Sequence, residues 1–428
     1  MVRFVFRQIL GCGLGIITLL LGSDICVGGW QIKFIDVSVS HLPPPNEVSQ
    51  STMDVKAADL DNDGDLDLVL AGEFQANTIL INDGTGRFSH ARNAISALSD
   101  ELMKLPPGAP VFLKEGHDSE DIAIADLDGN GTLDIVIVSE DDVRIGRKEV
   151  HEYYINRGDG SFDRREGALP DSEANGVDAA DVNGDGAIDL YICGAEQDQL
   201  LINDGKGGFT DQTKQRLPEE SYTGQDVKLV DVTGDGKVDI VVGNEGGHLL
   251  FVNNGEGLFR DETKSRIPSI ANVEARKVTP VDFDHDGDLD LYFSHVGWIS
   301  PGTKTPRDPQ DRLLLNDGTG VFEDVSKKYL HEDSLTTLDA KFLHLDDDQH
   351  EELIQINFGL TRVLSRRDSD RFVDITDRVF DSPIDGPGVC VEAGDFNGDG
   401  VIDLYIGLLA GPNRNPQGFD RLLFGKKS

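Results

Sequence analysis

The residues best placed to do chemistry in this chain are short runs of carboxylates, one of them recurring almost unchanged. Its first copy, DLDNDGDLDL, sets Asp59, Asp61, Asp63 and Asp67 at positions one, three, five and nine, with glycine at six. Five more copies keep that spacing of side-chain oxygens. They are Asp126, Asp128, Asn130 and Asp134; Asp181, Asn183, Asp185 and Asp189; and Asp231, Thr233, Asp235 and Asp239. The last two are Asp282, Asp284, Asp286 and Asp290, and Asp395, Asn397, Asp399 and Asp403. A backbone carbonyl at position seven would come from Asp65, Thr132, Ala187, Lys237, Asp288 and Val401. Such a loop wraps one hard cation, and a flexible shell of six or seven oxygens suits Ca²⁺ better than Mg²⁺, which demands a tighter octahedron. Without a cation, the converging carboxylates would repel and raise one another's pKa. One match would be explained by an Asp-Gly turn; six, each with its ninth-position Asp, are not. Because every repeat carries the same loop, the expected role of the ion is structural. A seventh copy, HLDDDQHEEL from His344, has His for the first Asp, Gln349 for the turn glycine and Glu352 for the ninth Asp, and is expected to lack calcium.

The loops start 50 to 67 residues apart, and each is flanked by apolar, strand-like segments. Each is followed by a second phrase of the kind LINDGTGRF, ending at Phe88, or FVNNGEGLF, ending at Phe259. Asn-Asp-Gly and Asn-Asn-Gly are hairpin turns, because these residues tolerate positive φ. One repeat therefore reads as four strands: A before the acidic loop, B after it, C before the Asn turn, and D from the Phe. A four-stranded unit repeated seven times is the arithmetic of a β-propeller. The last repeat has no D strand, yet FIDVSVSHLP from Phe34 matches FTDQTKQRLP from Phe209. The N-terminal segment should thus be the outer strand of the last blade, closing the ring and covering a sheet edge.

These repeats resemble the FG-GAP/VCBS type, which also builds the integrin α-chain propeller. The resemblance spans about residues 34–428, and it too implies calcium in the A–B loops. The FG-GAP dipeptides themselves are poorly preserved, so integrin-like partner binding does not follow.

Composition bounds the function. With 39 Lys+Arg against 78 Asp+Glu the net charge is −39, which excludes nucleic acid or anionic lipid as the main partner. Residues 1–29 read as a secretory signal, with Arg3 and Arg7 before the apolar run Ile9–Leu21 and small residues ahead of Trp30. An uncleaved anchor is the alternative. The remaining chain, 30–428, is then one secreted, periplasmic or surface domain. Cys193 and Cys390 sit in apolar strands and read as buried free thiols.

Arg157-Gly158-Asp159 spells an adhesive tripeptide but occupies the Asn-Asp-Gly turn slot, and is read as a turn. Strand A alternates polar positions, Asp54 and Lys56, Asp121, Asp226 and Lys228, Lys277, Asp339 and Lys341. A channel where Lys and Asp pair around the ring accounts for them. Connections longer than a hairpin requires, at 92–117, 139–151, 295–311 and 408–420, all fall on the face opposite the acidic loops. Trp298, with Arg307, Arg312 and Arg414, is the ligand-binding candidate there. The leading expectation is recognition of an extracellular protein or glycan. A secreted polysaccharide lyase or hydrolase with its site in the propeller mouth, and a purely structural module, are the alternatives.

Overall fold

The computed structural model describes residues 31–44, 51–91, 117–140, 148–195, 197–219, 222–298, 307–367, 369–409 and 420–428. The signal segment, Arg414 and most of the long connections lie outside them. No described helix is long and apolar enough to cross a membrane.

The third repeat shows why the sequence folds as it does. Ala174–Ala180, Asp189–Gly194, Gln199–Asn203 and Phe209–Asp211 form an antiparallel meander in chain order. The acidic loop makes the first turn and Asn-Asp-Gly the third. The same four-stranded sheet recurs over Gly224–Asp261 and Ala275–Asp324. Repeats one and two join into one eight-stranded sheet where Glu73 pairs Asp118. Repeats six and seven join where Phe358–Leu360 meets Asp385–Pro387. In repeat six, strands B and C run on as a single strand, Glu352–Ser365. Ile32–Asp36 pairs with the last strand, Arg421–Lys427, and supplies the strand that repeat seven lacks.

Strand B is buried along its whole length in repeat three, Asp189 to Gly194, because it is covered on both faces. The core accordingly lies between sheets rather than inside one. Val136 and Val138 of repeat two pack on Val177 and Leu190 of repeat three, and the pattern repeats at each successive pair. Val55, Leu68 and Leu70 of repeat one pack in the same way on Tyr405 and Leu422 of repeat seven. Cys193 and Cys390 are free and buried in these layers.

Two features were not read from the sequence. The phrase after strand D is a one-turn helix, for example Thr213–Arg216 and Thr263–Arg266. Asp211 Oδ1 accepts the Thr213 N–H at 2.9 Å, and Thr213 Oγ1 accepts the Leu200 N–H at 3.0 Å, so one Asp-x-Thr step turns the chain and ties it to strand C. Asp36 and Ser38 repeat this at the N-terminus. The second feature is a buried Tyr–Asp clamp across the B–C turn. Tyr191, Tyr292 and Tyr405 donate to Asp198, Asp311 and Asp420 at 2.7, 2.6 and 2.7 Å. Its signal in the sequence is Asp followed by Gln or Arg and then Leu-Leu.

Burial lifts the carboxyls of Asp198 and Asp311 to about 7 and that of Asp420 to about 6, although the tyrosine hydroxyls oppose the shift. A carboxyl raised in the folded state binds its proton more tightly there than when unfolded. Stability is therefore lost as pH rises through about 6–7 and regained on acidification toward the unfolded value of about 4. In calcium excess, the melting temperature should rise between pH 8 and pH 6. Asp198→Asn with Asp311→Asn should diminish that rise, and a rise unchanged in the double variant would show that the clamps are not protonated.

Candidate functional site

Six acidic loops adopt one backbone path. Their sixth-position glycines, Gly64 and its counterparts, have φ of 78° to 97°. A Cβ there would meet nothing within 4 Å, so the backbone angle and not packing demands glycine. Position four is left-handed as well, even where it is Asn62 or His285 (φ 61° in both). In five loops the first Asp accepts the glycine N–H at 2.7–3.1 Å.

The carboxylates converge. Asp59, Asp61 and Asp67 bring oxygens within 4.8 Å of one another, as do Asp126, Asp128 and Asp134, and Asp282, Asp284 and Asp286. The loops from Asp181, Asp231 and Asp395 carry Asn or Thr at position three, so their three Asp stand at positions one, five and nine. Asp61 Oδ1, Asp282 Oδ1 and Asp288 Oδ1 are buried with no hydrogen-bond partner. A carboxylate oxygen removed from water without a donor is costly, and a hard cation in the loop would satisfy it. The donor set suits a hard cation on that ground.

The ninth-position Asp has a second task. Asp67 Oδ2 accepts the Leu60 N–H at 3.0 Å and its Oδ1 the Asn82 N–H at 2.9 Å, which locks the A–B loop to the C–D turn. Burial, despite these bonds, lifts Asp67, Asp134, Asp189, Asp239 and Asp290 to about 6 and Asp403 to about 7. The turn Asn then reaches the neighbouring repeat. Asn156 Nδ2 donates to Leu60 O, Asn203 to Leu127 O, Asn253 to Val182 O, Asn316 to Val232 O and Asn82 to Phe396 O, all at 2.7–2.8 Å. Sequence reasoning assigned these Asn residues only to turns.

Repeat six departs from the pattern. Neither Asp347 nor Gln349 adopts positive φ, as a non-glycine sixth position dictates. Glu352 nonetheless replaces the ninth Asp in its structural task, accepting the Leu345 N–H at 2.8 Å. Asp346, Asp348 and Glu352 still converge, but the Arg367 guanidinium lies on Asp346 at 2.8 Å and on Asp347 at 2.7 Å. A built-in cation stands on this loop. Arg366 takes the place of the turn Asn, donating to Phe283 O at 2.9 Å while lying 3.7 Å over the Phe283 ring. At the last joint, where Gly425 has no side chain to offer, the Ile32 N–H of the N-terminal strand donates to Leu345 O at 2.7 Å.

Along the A strands, Lys and Asp pair as their alternation suggests. Lys277 Nζ lies 3.1, 3.5 and 3.6 Å from Asp121, Asp54 and Asp226, which come from three other repeats. Lys56 joins Asp54 at 3.1 Å, and Lys341 joins Glu392 at 2.6 Å. Burial lifts Asp54 to about 6 against the pull of Lys277 and Lys56. Asp121, which burial alone would raise, is held below the usual carboxylate range by Lys277, Lys56 and Lys228. Lys277→Met would leave three buried carboxylates short of their shared cation, an expected loss of about 3–5 kcal/mol. Denaturant unfolding measures it, and a variant as stable as the parent would show the cluster to be solvated.

The mouth lies where A strands begin and B strands end. Trp298 is 37% exposed, and its Nε1 donates to Glu274 at 2.9 Å. Arg307 and Arg312, the candidate cations beside it, are each ion-paired: Arg307 with Glu245 at 2.6 Å and Arg312 with Asp308 at 2.6 Å. An acidic chain holds its few guanidinium groups close. In the tripeptide, Arg157 pairs with Asp163, and Asp159 accepts the Ser161 N–H at 3.1 Å, so both charges serve their own turn.

No curated protein matches the chain. Among solved structures, BBS1N in complex with ARL6DN is similar over 92% of this chain and 96% of its own, at 13% identity and a TM-score of 0.52. YCF48 bound to D1 peptide is similar over 92% and 94%, at 11% identity and a TM-score of 0.50. A lectin of Agrocybe aegerita that recognises non-reducing terminal N-acetylglucosamine overlays more loosely, at 17% identity over 84% and 86% with a TM-score of 0.47. At such identities the likeness is one of fold, that of a β-propeller. The FG-GAP-like repeat matches residues 59–137, 126–192, 181–242 and 231–293. These repeats cover more than half of the 428 residues, and the chain belongs to the FG-GAP-like repeat family.

Proposed function

We propose that this protein is a seven-bladed propeller, closed by its N-terminal strand, that binds calcium in six A–B loops and acts outside the cytoplasm as a recognition scaffold. Its ligand, an extracellular protein or glycan, docks on the face opposite those loops. The calcium reading is carried by the partnerless buried oxygens of Asp61, Asp282 and Asp288. Ring closure draws support from the packing of repeat seven on repeat one and from the pairing of Ile32–Asp36 with the last strand. The docking face draws support from the mouth, where Trp298 and Phe358 are each 37% exposed.

A secreted hydrolase or lyase is the second reading, favoured by one observation. Asp118, Glu120 and Glu140 converge within 4.8 Å in the mouth, and burial holds Glu120 well above the carboxylate range, as a general acid requires. Glycan and protein arrays probed with and without Ca²⁺ test both readings. Trp298→Ala with trimming of 301–310 should abolish capture without changing calcium-dependent melting. Capture that survives both changes moves the binding face elsewhere. Cleavage of a captured glycan that is lost in Glu120→Gln would select the enzyme.

A further inference from the structure

The mouth holds a cavity of about 370 Å³ whose two walls differ in chemistry. One wall is apolar: Met53, Leu338, Val389 and Leu409, with Phe358 edge-on to Trp298 at 6.2 Å between ring centroids. The other is acidic, with Glu73, Asp118, Glu120 and Glu140. Among the described residues two cations also line it, and both are committed. Lys277 serves the three channel carboxylates, and Arg276 lies 3.7 Å from Glu120 and 5.8 Å from the Trp298 ring centroid. The Glu120 side chain is 8% exposed, and among the described residues its counter-charge is Arg276. The cavity is within the size range of small-molecule sites.

We infer that this cavity binds an ammonium group carried on an apolar stem, deepening the recognition reading above, on which it rests. The charge faces the Glu120 side and the stem lies against Phe358 and Trp298. A bare divalent ion would leave the apolar wall unused. An anionic sugar would meet like charge, and a neutral one would add no charge to the 3.7 Å pairing of Glu120 with Arg276. The aromatic face already has a cation above it in Arg276, and a second positive group would gain from the same quadrupole.

Calorimetric titration of the full secreted chain, in excess calcium, with 2-phenylethylammonium, its neutral isostere 2-phenylethanol and 3-phenylpropionate tests this. The ammonium should bind saturably, the alcohol at least ten-fold more weakly, and the carboxylate not at all. Glu120→Gln and Phe358→Ala should each weaken the ammonium about ten-fold with melting unchanged. Should Glu120→Gln fold poorly, Glu140→Gln on the exposed rim replaces it. Equal binding of alcohol and ammonium, absence of saturation, or variants that bind as the parent does would each overturn the inference. Array capture that depends on Trp298 without ammonium binding would sink this inference alone. Ammonium binding with capture indifferent to Trp298 would sink the docking-face reading instead.

Discussion

Deleting Phe34–Pro43 should leave a protein that aggregates or unfolds at temperatures where the parent is intact. The segment does three jobs at once. It completes the outer sheet of repeat seven, with Phe34 opposite Gly425 and Asp36 opposite Leu423. It buries Phe34, 2% exposed, against Phe380 at 5.7 Å between centroids. Its one-turn helix returns to the last strand, with the Val37 N–H donating to Leu422 O at 2.9 Å. Removing one buried Phe side chain typically costs about 3–5 kcal/mol, a large share of the about 5–15 kcal/mol that holds a domain together. The deletion also exposes the unpaired edge of Arg421–Lys427 to other chains. Phe34→Ala should reproduce much of the loss, and a synthetic peptide covering 31–43 should restore melting in trans. A deletion variant that stays monomeric and melts normally would mean that the N-terminal strand is dispensable.

Calcium withdrawal should have the next largest effect. With extracellular-type affinities of about 10⁻⁴–10⁻³ M, a ten-fold excess of free ion stabilises by about 1.4 kcal/mol at each independent site. Six such sites amount to a large share of the total, and in the loops from Asp59, Asp126 and Asp282 the ion would also relieve converging carboxylates. EDTA should lower the melting temperature by many degrees, and titration should count about six ions rather than seven. Repeat six is excluded because Arg367 already stands on Asp346 and Asp347. Restoring its loop with His344→Asp, Gln349→Gly and Arg367→Ala together should raise the count by one. Melting indifferent to EDTA, after full exchange is verified, would refute calcium as a structural ion.

Much of this architecture is legible in the sequence because its signals are local and repeated. A left-handed turn needs Gly or Asn, so the loops that begin at Asp59 and Asp181 announce both the strand ends and the acidic clusters. The match between FIDVSVSHLP and FTDQTKQRLP places the first strand beside the last for the same reason. What escaped is what depends on neighbours. Asn82 makes a turn in its own repeat, but its carboxamide meets Phe396 O, which is 314 positions away. Arg307 and Arg312 look available in a linear reading, yet Glu245 and Asp308 hold them. The mouth is assembled from single residues of many repeats, and no window of sequence contains it.

The joints between repeats bear on how such a chain can change length. Five are interchangeable, because an Asn in one repeat meets a main-chain carbonyl in its neighbour, and carbonyls are alike whatever side chain they belong to. A duplicated or lost copy among the first five repeats would therefore find a compatible neighbour at either end. Repeats six and seven are not portable in this way, since their joints rely on Arg366 and on the Ile32 N–H. The turn joints thus leave copy number free in the first part of the chain, and what pins it there is the Lys277 cluster, which draws one Asp from each of three other repeats.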